Sequence, residues 1–382
     1  MNFELGDEQR QLKDSLERLL GDQYRFDERR RIAAGSQGFS PSVWRSMTDL
    51  GLAGLIVPEA HGGFGGNAMD VLPVMQALGR ALVLEPFLAS CVLAATAARL
   101  AGTERQRAEL LPSLASGDQL LCWAHDEAGA RHAACWTDTR ARPVGGRWVL
   151  DGAKINVLHG GSAAFLIVSA RVFGEPTLKG GRALFLVDAK AEGLSRRDYR
   201  LVDDSPASEL HLQAVAAVPL GETSGGMLDA VQAEAAITGT LNAGIAAVCA
   251  DIAGSMQAAL DLTSGYLNTR RQFGRLIGEN QALRHRAAEM LVSVQTVKSM
   301  AIAAAVAAAR PDEPESARDL IRAKLLAGRH GRSACEAAIQ LHGGIGTTEE
   351  YAVSHYLRRV HVMDQLFGDS EAQAVRLAEL LG

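Results

Sequence analysis

Residues 270–281 read RRQFGRLIGENQ and residues 340–348 read QLHGGIGTT, both set between long Ala-rich stretches, and the fold turns on these two interruptions. The first joins an adjacent pair of guanidinium groups, an aromatic ring, two glycines and a terminal amide. Arginine keeps its charge and grips phosphate with two parallel donors, so this set at a helix end is suited to a pyrophosphate. An ordinary turn beside a solvated helix terminus uses the same residues. The second offers exposed amides and small side chains that permit close approach to a ligand, and a tight connection between two helices is its other reading. Neither stretch has the glycine spacing of a dinucleotide fold after a strand, and no Gly-Lys-Ser/Thr phosphate loop occurs in the chain.

From Phe3 to about Leu114 apolar residues recur at helical spacing, as in Leu12, Leu16, Leu19 and Leu20 and again in Val43, Met47, Leu50 and Leu52. The loop VPEAHGGFGGN at residues 57–67 breaks this pattern. Between Leu120 and about Pro219 short runs such as LLCWA, RWVLDG, AAFLIVSARV and RALFLVDA are separated by Gly, Pro and Asp, the signature of strands. From Gly225 onward the chain returns to long strand-poor stretches that predict three or more long helices. The order predicts an α+β protein, mainly α: an N-terminal helical domain over 1–118, a middle β-domain over 119–222 and a C-terminal helical bundle over 223–382. The second helical block is expected to pack with the first, leaving the sheet as its own layer.

At 382 residues, 47% hydrophobic and 22% charged, the chain has a globular composition able to bury a large interior. Its net charge is −5 with no block of basic residues, which argues against a nucleic-acid or anionic-membrane surface. The five cysteines, Cys91, Cys122, Cys135, Cys249 and Cys335, form no Cys-x-x-Cys pair, so neither a metal site nor a disulfide framework is expected. The N-terminal segment mixes acids through its length, unlike a signal peptide, and no apolar run is read as reaching the roughly 18 residues of a membrane span. A cytoplasmic location is expected.

Taken with VPEAHGGFGG, GTERQRAELLPSLASGD at 102–118, WVLDGAK at 148–154 and QLHGGIGTTEEY at 340–351, the two interruptions resemble the acyl-CoA dehydrogenase family over essentially the whole chain. The resemblance implies helical, β and four-helix-bundle domains in that order, with FAD at the domain junction and across a subunit interface. It implies α,β-dehydrogenation of an acyl-CoA, with electrons passed to an electron-transfer flavoprotein. Arg270, Arg271, Gln272 and Phe273 match the family segment that reaches the FAD of a neighbouring subunit. Asn280, Gln281 and the stretch from Gln340 through Gly343 and Gly344 match further FAD contacts, as does the segment from Asp369 to Glu371. A cofactor shared between chains implies an oligomer, either a homotetramer or a heterotetramer with a related dehydrogenase subunit.

The chain also departs from the family pattern. In RRVHVMDQLFGDSEAQ, residues 358–373, Phe367 stands where the family's glutamate base is expected, directly before Gly368. The alternative base position on the preceding long helix falls on Gly244. The reaction needs a carboxylate near the thioester α-carbon and donors at its oxygen, and Phe367 retains only the backbone N–H that serves as one such donor in the family. Glu234 and Asp251 lie roughly 15 Å and 10 Å from Gly244 along a helix at about 1.5 Å per residue. Asp369 and Asp364 are nearer Phe367, with Asp369 the leading substitute base, and His342 and His361 are further titratable candidates. Asp126 replaces a threonine whose hydroxyl donates to the flavin, and Asn156, Val157 and Leu158 replace a Trp-Ile-Thr wall. These departures favour one subunit of a heteromer whose other chain carries the base. The alternatives are an active homotetramer using Asp369, or a flavin-free structural subunit.

Overall fold

The computed structural model describes residues 5–221, 223–224 and 227–381. Phe3, Glu222 and Gly225, used above as boundaries, lie outside them. The first helices are α1 (Asp7–Gln23), α2 (Phe26–Ala34), α3 (Pro41–Asp49), α4 (Ala68–Ala81), α5 (Ala95–Ala101) and α6 (Glu104–Ala115). Seven strands follow: β1 (Leu121–Ala124), β2 (Arg140–Val144), β3 (Arg147–Leu158), β4 (Phe165–Arg171), β5 (Arg182–Asp188), β6 (Leu194–Arg200) and β7 (Pro206–Leu220). The chain ends in α7 (Ala230–Thr269), α8 (Gln281–Ala309), α9 (Ser316–His342), α10 (Val353–Gln365) and α11 (Ser370–Leu381). This is the helical, β, helical architecture expected from the sequence.

Local chemistry sets several of these boundaries. Ser40 caps α3 by accepting the Val43 N–H, and Pro41 begins the helix where no N–H is required. The GTERQ pattern becomes a reciprocal capping box at the start of α6, with Thr103 accepting from the Gln106 N–H and Gln106 accepting from the Thr103 N–H. The residues that join α8 to α9 include Pro311 and Pro314, which cannot continue a helix.

The chain divides into two compact units. One comprises residues 1–31, 68–83 and 245–382, and the other 32–67 and 84–244. In the first, the second helical block packs on part of the first. Backbones of α4 and α7 meet at glycines: a Cβ on Gly79 would lie 2.2 Å from the Asp251 carbonyl oxygen, and one on Gly254 would lie 2.0 Å from the Gln76 carbonyl oxygen. Ser255 Oγ donates to the Gly79 carbonyl at 3.1 Å, which closes the contact. The fully buried Asp251 carboxylate accepts from Arg359 of α10 at 3.0 and 2.7 Å, so the ion pair ties α10 to α7 where α7 crosses α4.

The sequence reading of apolar runs needs correction here, because α7 and α8 each contain an apolar window long enough to cross a membrane. Alanine supplies that hydropathy without bulk. The α7 window is 67% buried within the chain and the α8 window 39%, with Leu291 and Val292 exposed.

In the second unit the sheet is not a layer on its own, because α3, α5 and α6 belong to the same unit. Gln106 of α6 donates to the Pro219 carbonyl on β7 at 2.7 Å. Ser90, in the π-helical stretch Phe87–Ala94, accepts the Leu121 N–H that opens β1. Strands β4, β2, β3, β7 and β5 pair in a closed circuit, with β1 added in parallel on β4 and β6 antiparallel on β7. Closure leaves few edges, and β6, the exposed addition, carries Arg196, Arg197 and Arg200. That polarity hid β6 from a search for apolar runs.

Two buried cations organise this unit. Arg171 donates to the carbonyls of Thr137, Pro176 and Gly180 at 2.9, 2.9 and 2.8 Å, tying the segment before β2 to the loop between β4 and β5. Lys154 is taken up with the site below.

The glycine contact in α7 generates a paired prediction. Gly254→Ala forces a methyl onto backbone and is expected to cost about 3 kcal/mol, whereas Gly265→Ala in the same helix meets nothing within 4 Å and should gain about 0.5–1 kcal/mol of helix propensity. Urea denaturation midpoints of the two variants, shifted in opposite directions, check both.

Candidate functional site

In the first unit α7 ends at Thr269 and the chain turns through a hairpin pairing Arg271–Gln272 with Arg275–Leu276. Phe273, at its tip, is 100% exposed and has φ 51°, a left-handed conformation unusual for a bulky residue. Arg270, Arg271 and Gln272 are exposed beside it, and among the described residues neither arginine meets a carboxylate. Asn280 ends the turn: its amide donates to the Ile277 carbonyl at 2.9 Å and its oxygen accepts from Arg275 at 2.6 Å, and Gln281 begins α8 exposed.

The second interruption lies close by. His342, the last residue of α9, stacks on Tyr266 with centroids 4.6 Å apart, and the Tyr266 carbonyl accepts the Arg270 N–H. RRQFG and HGGIG are therefore joined through one ring contact. Gln340 is exposed, and a Cβ built on Gly343 or Gly344 would meet nothing within 4 Å, leaving room beside the backbone. Gly343 has φ 63° and ψ −143°, a region open to glycine and strained for other residues. His342 itself packs: Nδ1 donates to the Ala338 carbonyl at 2.8 Å, and burial holds its pKa below the ordinary value. Unneutralised arginines beside open glycine backbone form a donor set that fits a phosphate-bearing cofactor such as FAD.

The turn around Phe367, between α10 and α11, packs elsewhere along α9. Lys324 of α9 donates to the Asp364 carbonyl, Gly328 faces the Asp364 carboxylate, and Arg329 pairs with Glu371 at 3.2 Å. From Gly328 to Gln340 is roughly 18 Å of helix at about 1.5 Å per residue. One chain thus keeps its Phe367 turn and its glycine stretch well apart.

The substitute carboxylates are engaged. Asp369 caps α11 by accepting the Ala372 N–H at 2.8 Å, and its other oxygen accepts from Gln365 at 3.4 Å. Asp364 is buried and accepts the Ser370 N–H at 3.1 Å, with Lys324 Nζ 3.5 Å away. Asp251 is held by Arg359, and Glu234 by Arg182 at 2.9 and 2.5 Å. His361 is half-buried in α10, and Gly244 is buried in α7.

In the second unit Asp126 and Asn156 are not solvated loop residues. Asn156 lies in β3 with φ 53°, at a register shift between β3 and β7, and its side-chain oxygen accepts from Tyr199 Oη at 3.0 Å. Asp126 is half-buried, and burial is the main cause that pushes its carboxyl above the usual range. Beneath it lies a polar cluster that the sequence reading missed. Lys154 Nζ donates to Glu127 Oε1 at 2.7 Å, Ser169 Oγ at 3.1 Å and the His125 carbonyl at 3.0 Å. Glu127 also accepts the Asp138 and Thr139 N–H groups. Burial opposes ionisation of Glu127, but the Lys154 charge and these donors outweigh it and hold the carboxyl low. Burial lowers Lys154 in turn. A lysine within the apolar run of β3 was the available signal.

Known proteins resemble this chain along its length. The N-terminal, middle and C-terminal domain models of the acyl-CoA dehydrogenases match residues 6–118, 121–215 and 234–382. A probable acyl-CoA dehydrogenase of Bacillus subtilis (strain 168), YngJ, is 30% identical over 391 residues, covering 100% of both chains. The CarC subunit of the caffeyl-CoA reductase-Etf complex of Acetobacterium woodii is 28% identical, covering 90% of each. Among solved structures, the Tcur3481-Tcur3483 steroid ACAD superposes with a TM-score of 0.87 at 30% identity, over 99% of this chain and 98% of that one.

The Lys154–Glu127 pair makes a pH-dependent prediction. Glu127→Gln leaves a buried cation without its counter-charge and should cost about 3–5 kcal/mol near neutrality. The variant's unfolded state then binds a proton that its folded state releases, so the deficit should shrink as pH rises toward the ordinary lysine range. In the native chain Glu127 contributes stability above the usual carboxylate range, and this is lost as pH falls through its lowered pKa. Urea denaturation of both proteins across pH checks the two signs.

Proposed function

The chain belongs to the acyl-CoA dehydrogenase family, and we propose that it works as the base-deficient subunit of a heteromeric dehydrogenase whose related second chain supplies the catalytic carboxylate. The family chemistry is FAD-dependent oxidation of an acyl-CoA thioester. When bound, FAD takes up the β-hydrogen as hydride. What this chain lacks is a group to remove the α-proton. Phe367 and Gly244 carry no carboxylate, and Asp369, Asp364, Asp251 and Glu234 are each held by a cap, a buried cation or an ion pair. That engagement of every substitute carboxylate is the observation on which the reading rests. It also counts against an active homotetramer using Asp369, since the carboxylate would have to leave the N-terminus of α11 that it caps.

Other features keep their use in such an assembly. Arg270 and Arg271 would hold the pyrophosphate of an FAD bound mainly by a neighbouring chain, with Gln272, Phe273, Asn280, Gln281, Gln340, Gly343 and Gly344 around it. Burial raises the Asp126 carboxyl, and in its protonated form that group donates as a hydroxyl does. The uncovered apolar window of α8 is suited to packing against a related subunit. On our reading the sequence resembles the small subunit of pimeloyl-CoA dehydrogenase, and that proposed resemblance favours a two-chain enzyme. So does the solved steroid ACAD, which is named for two products, Tcur3481 and Tcur3483. An electron-transfer flavoprotein is the proposed acceptor, in keeping with the Etf complex named for the CarC relative.

The test compares the chain expressed alone with the chain co-expressed with a related dehydrogenase carrying the glutamate. A general base contributes about 10²–10⁴ in rate, so the chain alone should turn over acyl-CoA at least about a hundredfold more slowly than the complex. Phe367→Glu should restore a measurable part of that rate to the single chain. Turnover by the native chain alone at the rate of the complex would sink the proposal.

A further inference from the structure

Phe367 has φ 62°, in the left-handed region, and Gly368 follows with φ 91°. A phenylalanine held there is costly, of order 1–3 kcal/mol, and persists only where its surroundings over-determine it. The surroundings are specific. The side chain of Gln373, fully buried on α11, donates from Nε2 to the Phe367 carbonyl at 3.0 Å and to the Gly368 carbonyl at 3.2 Å. A Cβ on Gly368 would lie 2.8 Å from that same nitrogen, so the glycine makes room for the amide. Gln373 is braced in turn, with Arg376 donating to its oxygen at 3.3 Å.

The two ends of the turn are pinned as well. The Leu366 N–H bonds to the Val362 carbonyl, closing α10, and Asp364 and Asp369 fix the start of α11. Between these pins, the Phe367 N–H meets no acceptor in hydrogen-bond geometry among the described residues. Both carbonyls of the turn are tethered and this donor is left open.

We propose that Gln373 is a positioning residue: by holding the Phe367 and Gly368 carbonyls it fixes the Phe367 N–H as a ready donor for the carbonyl oxygen of a bound acyl-CoA thioester. This rests on the dehydrogenase reading given above and extends it to a residue that touches neither substrate nor cofactor. The device is indifferent to the side chain at 367. It explains why the strained backbone is kept at a position without a carboxylate: the left-handed φ at 367 sets where the N–H points, and a phenylalanine relaxed to negative φ would swing it away.

Hydrogen exchange at the single Phe367 amide, followed by mass spectrometry of this chain within the assembled flavoprotein, provides the test. The probes are 3-thiaoctanoyl-CoA, a thioester that cannot complete the dehydrogenation, and free CoA, which has no carbonyl. In the native chain the amide should exchange fast without a thioester, slow by about tenfold with 3-thiaoctanoyl-CoA and be unmoved by free CoA. Gln373→Glu, which keeps the shape and loses the donor, and Gln373→Met should abolish the slowing while flavin absorbance still reports thioester binding. Phe367→Gly, which removes the strain, should retain it.

Slow exchange in the native chain without a thioester overturns the proposal on its own, whether or not either Gln373 variant folds. Equal slowing in native chain and variants removes Gln373 from the account and leaves the dehydrogenase reading standing. Failure of the native assembly to bind any thioester removes both.

Discussion

The buried pair of Asp251 and Arg359 is the constraint on which the helical unit depends. Two opposite charges in a water-free interior are expensive to separate, so the helices that carry them cannot drift apart. Asp251 lies where α7 crosses α4 on bare glycine backbone, and Arg359 reaches it from α10. One contact therefore fixes the helix that precedes the RRQFG hairpin and the helix that leads into the Phe367 turn. A more forgiving, purely apolar crossing could slide by a fraction of a turn, and both ends would move with it.

The second unit solves a comparable problem with carbonyls and a closed circuit of strands. Arg171 has no carboxylate and satisfies its charge on loop carbonyls, which turns two irregular segments into defined ones. Lys154 does likewise with Glu127, Ser169 and the His125 carbonyl beneath Asp126. These interior cations make the loops at the end of β1 part of the core. Beside them the Asp126 carbonyl accepts the Ile155 N–H and Asn156 is held by Tyr199.

Much of the architecture was legible in the sequence because it is written in periodicity and punctuation. The helical spacing of Leu16 and Leu20 and the glycines of HGGIG each act over a few residues and appear in the structure as read. What was hidden depends on distant partners. β6 was missed because its arginines face outward on an added strand, and the grouping of α3, α5 and α6 with the sheet has no local signal. The candidate carboxylates were visible, but Asp369 reads the same as a base or as a cap until α11 is seen to begin beside it. Gln373 gave no signal, since its importance lies in the shape of a turn six residues away. The apolar windows of α7 and α8 were underestimated because alanine contributes hydropathy without the bulk that draws attention.

The length of α9 carries one further meaning. The helix sets the glycine stretch at its C-terminal end and the braces of the Phe367 turn, Lys324 and Arg329, in its first half and at its midpoint, so about 20 Å of rod at about 1.5 Å per residue separates Arg329 from His342. With that separation, a substitution in the Phe367 turn leaves the glycine stretch and the RRQFG hairpin it stacks against with the same backbone to offer a ligand.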